Sequence, residues 1–319
     1  MSAPAATREA CAARDRDDPL AGRRAAFVLE EGRVYLDGNS LGPLTHAARR
    51  RVLEVVDREW ASDLVAGWNV HGWIGLPARL GARIAPLVGA GPADVLVADS
   101  TSVNLFKLAV AYLGLAAPRT RVVTELGNFP SDLYVLQGIA RLLPGVELVA
   151  VPRADLAAAI DARTALVVLT HVHYRTAEMF DLAGVTAAAR AQGAALLWDL
   201  SHSAGAVPVD LAAAGAELAV GCGYKSLNGG PGAPAFLYVR PDLQARLAPA
   251  IAGWLGHAEP FAFDDDYRPA AGVARHCAGT PGVLGMAALD GGLEAFDGVD
   301  MATVRAKSLA LSALFIERV

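Results

Sequence analysis

The sequence predicts an α/β fold with a mostly parallel central sheet and helices on both faces. Three observations predict it. Seven short apolar runs, at 94–98, 120–124, 146–151, 164–169, 194–199, 217–221 and 235–239, have the length of buried strands, and helical patterns lie between most of them. Polar clusters follow the ends of several of these runs, where open α/β sheets bind ligands. The chain has 319 residues, 54% hydrophobic and 19% charged, which suits one large core with a smaller second part rather than a disordered chain.

The elements follow in order. Residues 1–33 form a polar arm with one helical stretch. Val34-Tyr-Leu is read as a short strand that runs into the turn Asp37-Gly-Asn-Ser-Leu-Gly-Pro43. Thr45 is placed to cap a helix reaching about Trp60. Residues 66–76, with Trp68 and Trp73 among glycines, read as an irregular loop, and 76–88 as a helix. Strand 94–98 leads through Asp99-Ser-Thr-Ser102 into a helix that contains Lys107. From there strands and helices alternate until about Arg240, where the alternation stops.

Composition excludes several functions. The net charge is −5 with no basic block, so nucleic acid and anionic membrane surfaces are not expected partners. Cys11, Cys222 and Cys277 are scattered, without disulfide or zinc spacing. The first ten residues have no apolar signal core, and no apolar stretch reaches the ~18 residues of a membrane span, so a cytoplasmic location is expected.

Five polar clusters lie at predicted strand ends. Thr101 and Ser102 begin a helix, where hydroxyls and free N–H groups suit a phosphate or serve as an ordinary N-cap. Phe129, in Asn128-Phe-Pro-Ser-Asp132, either stacks on a flat ring or belongs to the core. Thr170-His-Val-His173 holds two histidines but no third ligand at suitable spacing, so no metal site is expected. Asp199 closes an apolar run and is followed three residues later by His202. Lys225, in Gly-Cys-Gly-Tyr-Lys-Ser-Leu-Asn-Gly-Gly (221–230), is one of only three lysines; Lys107 and Lys307 lie in helical patterns. A lysine amine that can form a Schiff base, with a carboxylate that can keep a pyridine nitrogen protonated, is what pyridoxal phosphate chemistry needs. Tyr224 places a phenol beside that amine, able to bind phosphate or donate a proton.

Together these runs resemble the kynureninases, which are fold-type-I pyridoxal-phosphate enzymes of the aminotransferase class V superfamily. The resemblance extends over about residues 34 to 300. It is carried by Tyr35-Leu-Asp-Gly-Asn-Ser-Leu-Gly-Pro, Asp99-Ser-Thr-Ser-Val-Asn-Leu, Asn128-Phe-Pro-Ser-Asp, Leu169-Thr-His-Val-His-Tyr-Arg-Thr, Trp198-Asp-Leu-Ser-His, Tyr224-Lys-Ser-Leu-Asn-Gly-Gly, Gly253-Trp-Leu-Gly-His and Gly279-Thr-Pro. It implies the pyridoxal-phosphate-dependent transferase fold of type I, pyridoxal 5'-phosphate as cofactor and a homodimer with the active site at its interface. It implies hydrolytic cleavage of L-kynurenine or its 3-hydroxy form to an anthranilate and L-alanine.

Residue by residue, the resemblance implies that Lys225 bonds the cofactor, Asp199 pairs with its ring nitrogen, His202 lies beside the ring and Phe129 stacks on it. Thr101, Ser102, Tyr224 and Trp254 belong to the phosphate side, and Thr170 and Asp132 line the pocket. Thr280 belongs to a phosphate-side loop that can come from the second subunit, and Ser40 and Trp68 neighbour the substrate. Three parts are expected: an N-terminal arm (1–50), a large cofactor-binding domain (51–260), and a linker with the start of an incomplete C-terminal small domain (261–319). The arginine that grips the substrate carboxylate is expected beyond residue 319, since neither Arg275 nor Arg318 has a matching context. Other readings are a cysteine desulfurase using Cys277 as nucleophile, and a cofactor-binding chain without turnover.

Overall fold

The computed structural model describes residues 7–319. Its sheet contains β1 (Val95–Val97), β2 (Arg121–Glu125), β3 (Glu147–Val151), β4 (Thr164–Thr170), β5 (Ala195–Asp199), β6 (Leu218–Gly221) and β7 (Phe236–Val239), in the order β1-β7-β6-β5-β4-β2-β3. Each strand begins and ends within one residue of the predicted run. Strands β2 to β6 pair with one another in parallel, while β7 runs antiparallel to β6 and β1 antiparallel to β7. Every residue of β4 and β5 is buried, which is why these strands read as continuous apolar runs rather than alternating ones.

Alternate side chains point to opposite faces, and each face has its own core. Val167, Leu169, Leu196 and Trp198 enter one cluster; Leu166, Val168, Ala195 and Leu197 enter the other. After α1 (Arg8–Arg16) and α2 (His46–Glu54), helix α3 (Leu76–Ile84) supplies Leu76, Leu80 and Ile84 to the first cluster. Helices α4 (Thr101–Ala116) and α5 (Pro130–Leu142) cover the opposite face with Leu105, Leu108, Leu136 and Ile139. Helix α6 (Leu182–Ala191) and helix α7 (Val283–Leu293) return to the first face with Leu182, Ala189, Met286 and Leu289. Helix α8 (Met301–Arg318) follows and buries no residue.

Two contacts of α7 matter for the site. A Cβ on Gly291 would lie 2.4 Å from the Ala48 nitrogen, and one on Gly292 would lie 2.5 Å from the Asn228 carbonyl oxygen. Only glycine lets α7 press on both α2 and the turn after Lys225.

The Thr45 cap forms as expected: its hydroxyl oxygen accepts from the Ala48 N–H at 2.9 Å. The helix widens into a π turn over Val55–Trp60 and reaches Trp60. Glu59 on that turn is buried and accepts from Trp73 Nε1 at 2.7 Å and from Arg51 at 2.7 and 3.3 Å.

Two local expectations are corrected. Residues 34–36 form no strand; among the described residues no backbone pairs with them, and Val34 and Leu36 are 78% and 84% exposed. The stretch 66–76 contains helical turns at Gly67–Val70 and Trp73–Gly75, and Trp73 is fastened through its indole N–H to Glu59. Among the described residues no helix is long and apolar enough to cross a membrane.

Candidate active site

The parallel strands β2, β4 and β5 deliver their last residues to one edge of the sheet. The register sets Thr170 opposite Asp199, so these two side chains are neighbours by construction. The segment after β2 folds over them. The Thr170 hydroxyl lies 2.6 Å from Asn128 Oδ1 and 3.3 Å from Asp132 Oδ2. Asn128 Oδ1 also accepts from the Phe129 N–H at 2.7 Å, which identifies it as the oxygen of the amide. The other end, Nδ2, is buried with no hydrogen-bond partner among the described residues.

Asp132 and Asp199 are hydrogen-bonded to each other, and burial raises both carboxyls above the ordinary range. Asp132 is raised further by the charge on Asp199 and by sharing the proton with it. Asp199 is held down by the Ser201 N–H, which donates at 2.8 Å, and by Lys225. Of the two, Asp132 is pushed up the more, which draws the pair's proton toward Asp132 and its negative charge toward Asp199.

Lys225 is 7% exposed, and its Nζ lies 2.7 Å from His202 Nε2. Burial and the nearby Lys225 lower His202 to about 4, so its ring is neutral near pH 7. The same amine lies 5.6 Å from the centre of the Phe129 ring and 5.8 Å from that of Tyr224. Phe129 is 36% exposed and stands edge-on to Tyr174 at 5.2 Å. Burial pushes the Tyr224 phenol up to about 12. The Tyr224 carbonyl accepts from the Gly42 N–H at 2.9 Å, and a Cβ on Gly42 would meet the Lys225 carbonyl oxygen at 2.2 Å. The segment holding Ser40 is thereby clamped to the lysine turn, with Ser40 itself exposed.

On the phosphate side the N-cap of α4 is Ser100, whose oxygen accepts from the Val103 N–H at 3.4 Å. That corrects the cap reading of Thr101 and Ser102. Both lie inside the first turn, half-buried, and their hydroxyls form no hydrogen bond among the described residues. Thr280 lines a cavity of about 340 Å³ together with Asp99, Gly232 and Leu255. Trp254, 39% exposed, stands edge-on to Phe261 at 5.8 Å. The next residue, Leu255, donates its N–H to the Ala278 carbonyl at 3.4 Å, so the Trp254 and Thr280 loops adjoin.

Other candidates separate from this cluster. Trp68 is half-buried, edge-on to Trp73 at 5.8 Å. His171 turns inward to Ser203 Oγ at 2.8 Å, whereas His173 Nε2 meets the Gly127 carbonyl at 3.0 Å, so the pair does not converge. Burial pushes the Cys277 thiol up to about 11, unlike a thiolate nucleophile. The Arg275 guanidinium is held by the carbonyls of Ala270, Ala245 and Leu247. Sequence reasoning passed over Asn128 and Lys107. Asn128 stood inside a recognised run, but nothing local shows that its amide is buried half-paired; Lys107 was hidden by a helical pattern.

Pyridoxal 5'-phosphate fits this set of groups. The buried carboxylate of Asp199 has no cation hydrogen-bonded to it among the described residues, a buried amine stands nearby, and a half-exposed phenyl face lies beside that amine. The unpaired hydroxyls of Thr101 and Ser102 stand at a helix N-terminus, where a phosphate is favoured.

Comparison with known proteins agrees with the geometry. The model of the family described as aminotransferase class-V matches residues 82–319. A curated kynureninase of Burkholderia pseudomallei (strain 1106a) is 48% identical over 97% of this chain, and one of Pseudomonas fluorescens is 47% identical over 98%. The chain covers 76% and 77% of their respective lengths. Among solved structures, the cysteine desulfurase CsdA of Escherichia coli superposes with a TM-score of 0.78 at 20% identity, over 92% of this chain and 75% of that one. A C-DES mutant with glycine covalently linked to its PLP cofactor gives 0.77 at 19% identity, over 90% and 77%. At these identities the structural likenesses speak for the fold alone, while the sequence relatives are close enough to decide the family. The chain belongs to the kynureninase family, within the class-V aminotransferases.

Proposed function

We propose that this protein is a pyridoxal-phosphate-dependent hydrolase that cleaves the Cβ–Cγ bond of L-kynurenine or 3-hydroxykynurenine, releasing the anthranilate and L-alanine. The observation that carries the reading is the convergence of the buried Lys225 amine, neutral His202, anionic Asp199 and the Phe129 ring at one sheet edge, in a chain about half identical to kynureninases.

When bound, the cofactor supplies an electrophilic aldehyde carbon and a ring able to take up electrons from the substrate's α-carbon. Lys225 would hold the aldehyde carbon through Nζ and serve as base for the substrate's Cα proton. His202 offers that amine a neutral nitrogen to hydrogen-bond, which orients Nζ without setting a second charge beside it. Asp199 would keep a proton on the ring nitrogen, and protonated Asp132 fixes the orientation of Asp199. Phe129 would cover one ring face. Thr101, Ser102, Tyr224, Trp254 and Thr280 would surround the phosphate, and Thr170 and Asn128 the pocket wall. Tyr224 keeps its proton throughout the neutral range and is the donor assigned to the substrate's Cβ once anthranilate departs. Ser40 and Trp68 are assigned to the substrate's surroundings.

The same reading makes the enzyme a cytoplasmic homodimer. Its support is the aromatic row Trp254, Phe261 and Phe263, exposed beside the phosphate-side loop in a way that a second subunit would cover. The division into an arm, a large cofactor domain and a C-terminal part from about residue 261 belongs to this proposal too.

The test is anthranilate fluorescence after mixing the chain with pyridoxal phosphate and L-kynurenine. Steady release that disappears in Lys225→Ala is the expected result. Sulfide release from L-cysteine with no anthranilate from kynurenine would overturn the assignment.

A further inference from the structure

At the end of the sheet opposite Lys225 lies a cavity that the reaction does not use. It measures about 230 Å³, and Arg119, Arg190, Arg240 and Arg246 line it together with Tyr112 and Glu217. Strands β5 and β6 start beside it and finish at Asp199 and at the turn to Lys225. The cavity and the cofactor site therefore stand at opposite ends of the same strands. A chain of net charge −5 gathers four guanidiniums here.

Part of that charge is structural. Glu217, 4% exposed, accepts from Arg190 Nη2 at 2.8 Å, from Arg240 Nη1 at 2.9 Å and from the Leu196 N–H at 3.3 Å. Arg240 also donates to the two Asp242 oxygens at 2.6 and 3.1 Å. Arg119 donates to the carbonyls of Thr164, at 3.1 Å, and Gly193. Arg119 and Arg190 stand at the C-terminal ends of α4 and α6, where unpaired carbonyls favour a cation. These contacts account for three of the arginines. They leave two groups over. The exposed Arg246 guanidinium forms no hydrogen bond and no ion pair among the described residues, and neither does the half-buried Tyr112 hydroxyl. Burial, and after it the charge of Glu217, raise the Tyr112 phenol above its ordinary value, so it keeps its proton and is a donor at neutral pH. The balance of charge is positive, four guanidiniums against the carboxylates of Glu217 and Asp242.

We propose that this cavity binds a phosphate dianion, free or as a small monoester, at a site separate from the cofactor's phosphate. A guanidinium presents paired N–H donors that match phosphate oxygens. Arg246 and Tyr112 hold donors that nothing in the described fold uses. The uncompensated positive charge equals the charge of the ion, and Glu217 has its own charge taken up by Arg190 and Arg240. The volume suits an ion or a short ester rather than a larger ligand.

The test is calorimetric titration with inorganic phosphate, at constant ionic strength in chloride, of the chain loaded with pyridoxal phosphate so that the cofactor site is filled. Saturable binding of one ion per chain is expected. Arg246→Gln should weaken it about tenfold and Tyr112→Phe about threefold, the scale of a lost hydrogen bond to a charged partner. Neither side chain has a partner to lose among the described residues, so both variants should melt at the temperature of the unmodified chain. Absence of saturable binding, or an affinity unchanged in both variants, overturns the proposal. Glycerol phosphate as a second probe separates the two sources: binding tighter than that of phosphate assigns the site to an ester, and weaker binding assigns it to the free ion.

Discussion

Lys107 and Lys225 are both buried, with helices α5 and α6 and strands β2 to β6 between them in sequence, and their surroundings differ in kind. Lys107 faces two oxygens at 2.5 Å, one of them a carboxylate. Lys225 faces a neutral imidazole at 2.7 Å and two aromatic rings, and no carboxylate lies within ion-pair distance of it among the described residues. Oxygens that saturate an ammonium hold it as a structural charge. A nitrogen and two ring faces leave an amine available to bond carbon. The difference teaches that burial alone does not mark a catalytic lysine; the partners do.

The comparison breaks most visibly at Lys225. Lys225→Ala should lower kcat by about 10³-fold or more while leaving thermal stability nearly unchanged, since the lost group is a reactant rather than a brace. A melting curve beside the anthranilate assay checks both halves. Lys107→Met should do the reverse. Removing one member of a buried pair costs ~3 kcal/mol or somewhat more, so denaturant unfolding should shift to clearly lower midpoint while kcat at saturating cofactor moves little.

The two carboxyls sharpen the same distinction between poised and saturated groups. Asp199→Asn removes the anion facing the ring nitrogen and should cost about 10²-fold in kcat. Asp132→Asn replaces a group already neutral with another neutral one and should cost about tenfold or less. If the two losses were reversed, the proton would be on the other carboxyl.

The smallest effect concerns His276, whose ring nitrogens are both buried without hydrogen-bond partners among the described residues and whose pKa burial lowers to about 4. A folded pKa below the unfolded value of about 6.5 means that the stability contribution is present above that value and is lost as the pH falls through 4. Acid should therefore weaken the fold across that window, with His171, lowered to about 4 by burial, acting in the same sense. His276→Leu should leave stability at pH 7 within about 1 kcal/mol and reduce the acid loss by ~2 kcal/mol, read from urea unfolding at pH 7 and pH 4.5.

Much of this was legible beforehand, for physical reasons. Strands such as Thr164–Thr170 are buried on both faces, so an unbroken apolar run announces them. Asp199, Thr170 and Asn128 lie at strand ends because a polar group ending such a run has nowhere apolar to go. The segment at Val34 was misread because its residues favour a strand, whereas a strand exists only where another backbone pairs with it. The stretch 66–76 was misread because its glycines suggested irregularity, while Trp73 bonding to Glu59, fourteen residues earlier, holds it in helical turns.

By itself the sequence determined the elements, the residues that end them and the family, since strand length, capping and motif spacing are local properties. It also singled out Lys225, whose glycine-rich turn is local. Only the tertiary structure decided the strand order β1-β7-β6-β5-β4-β2-β3, with its antiparallel β1 and β7, because pairing depends on which edges meet. It alone set Asp132 against Asp199 so that one keeps the proton, and buried Lys107 between two loops nearly 180 residues apart in the chain. A charge takes its role from the groups that surround it in space, and chain spacing does not carry that information.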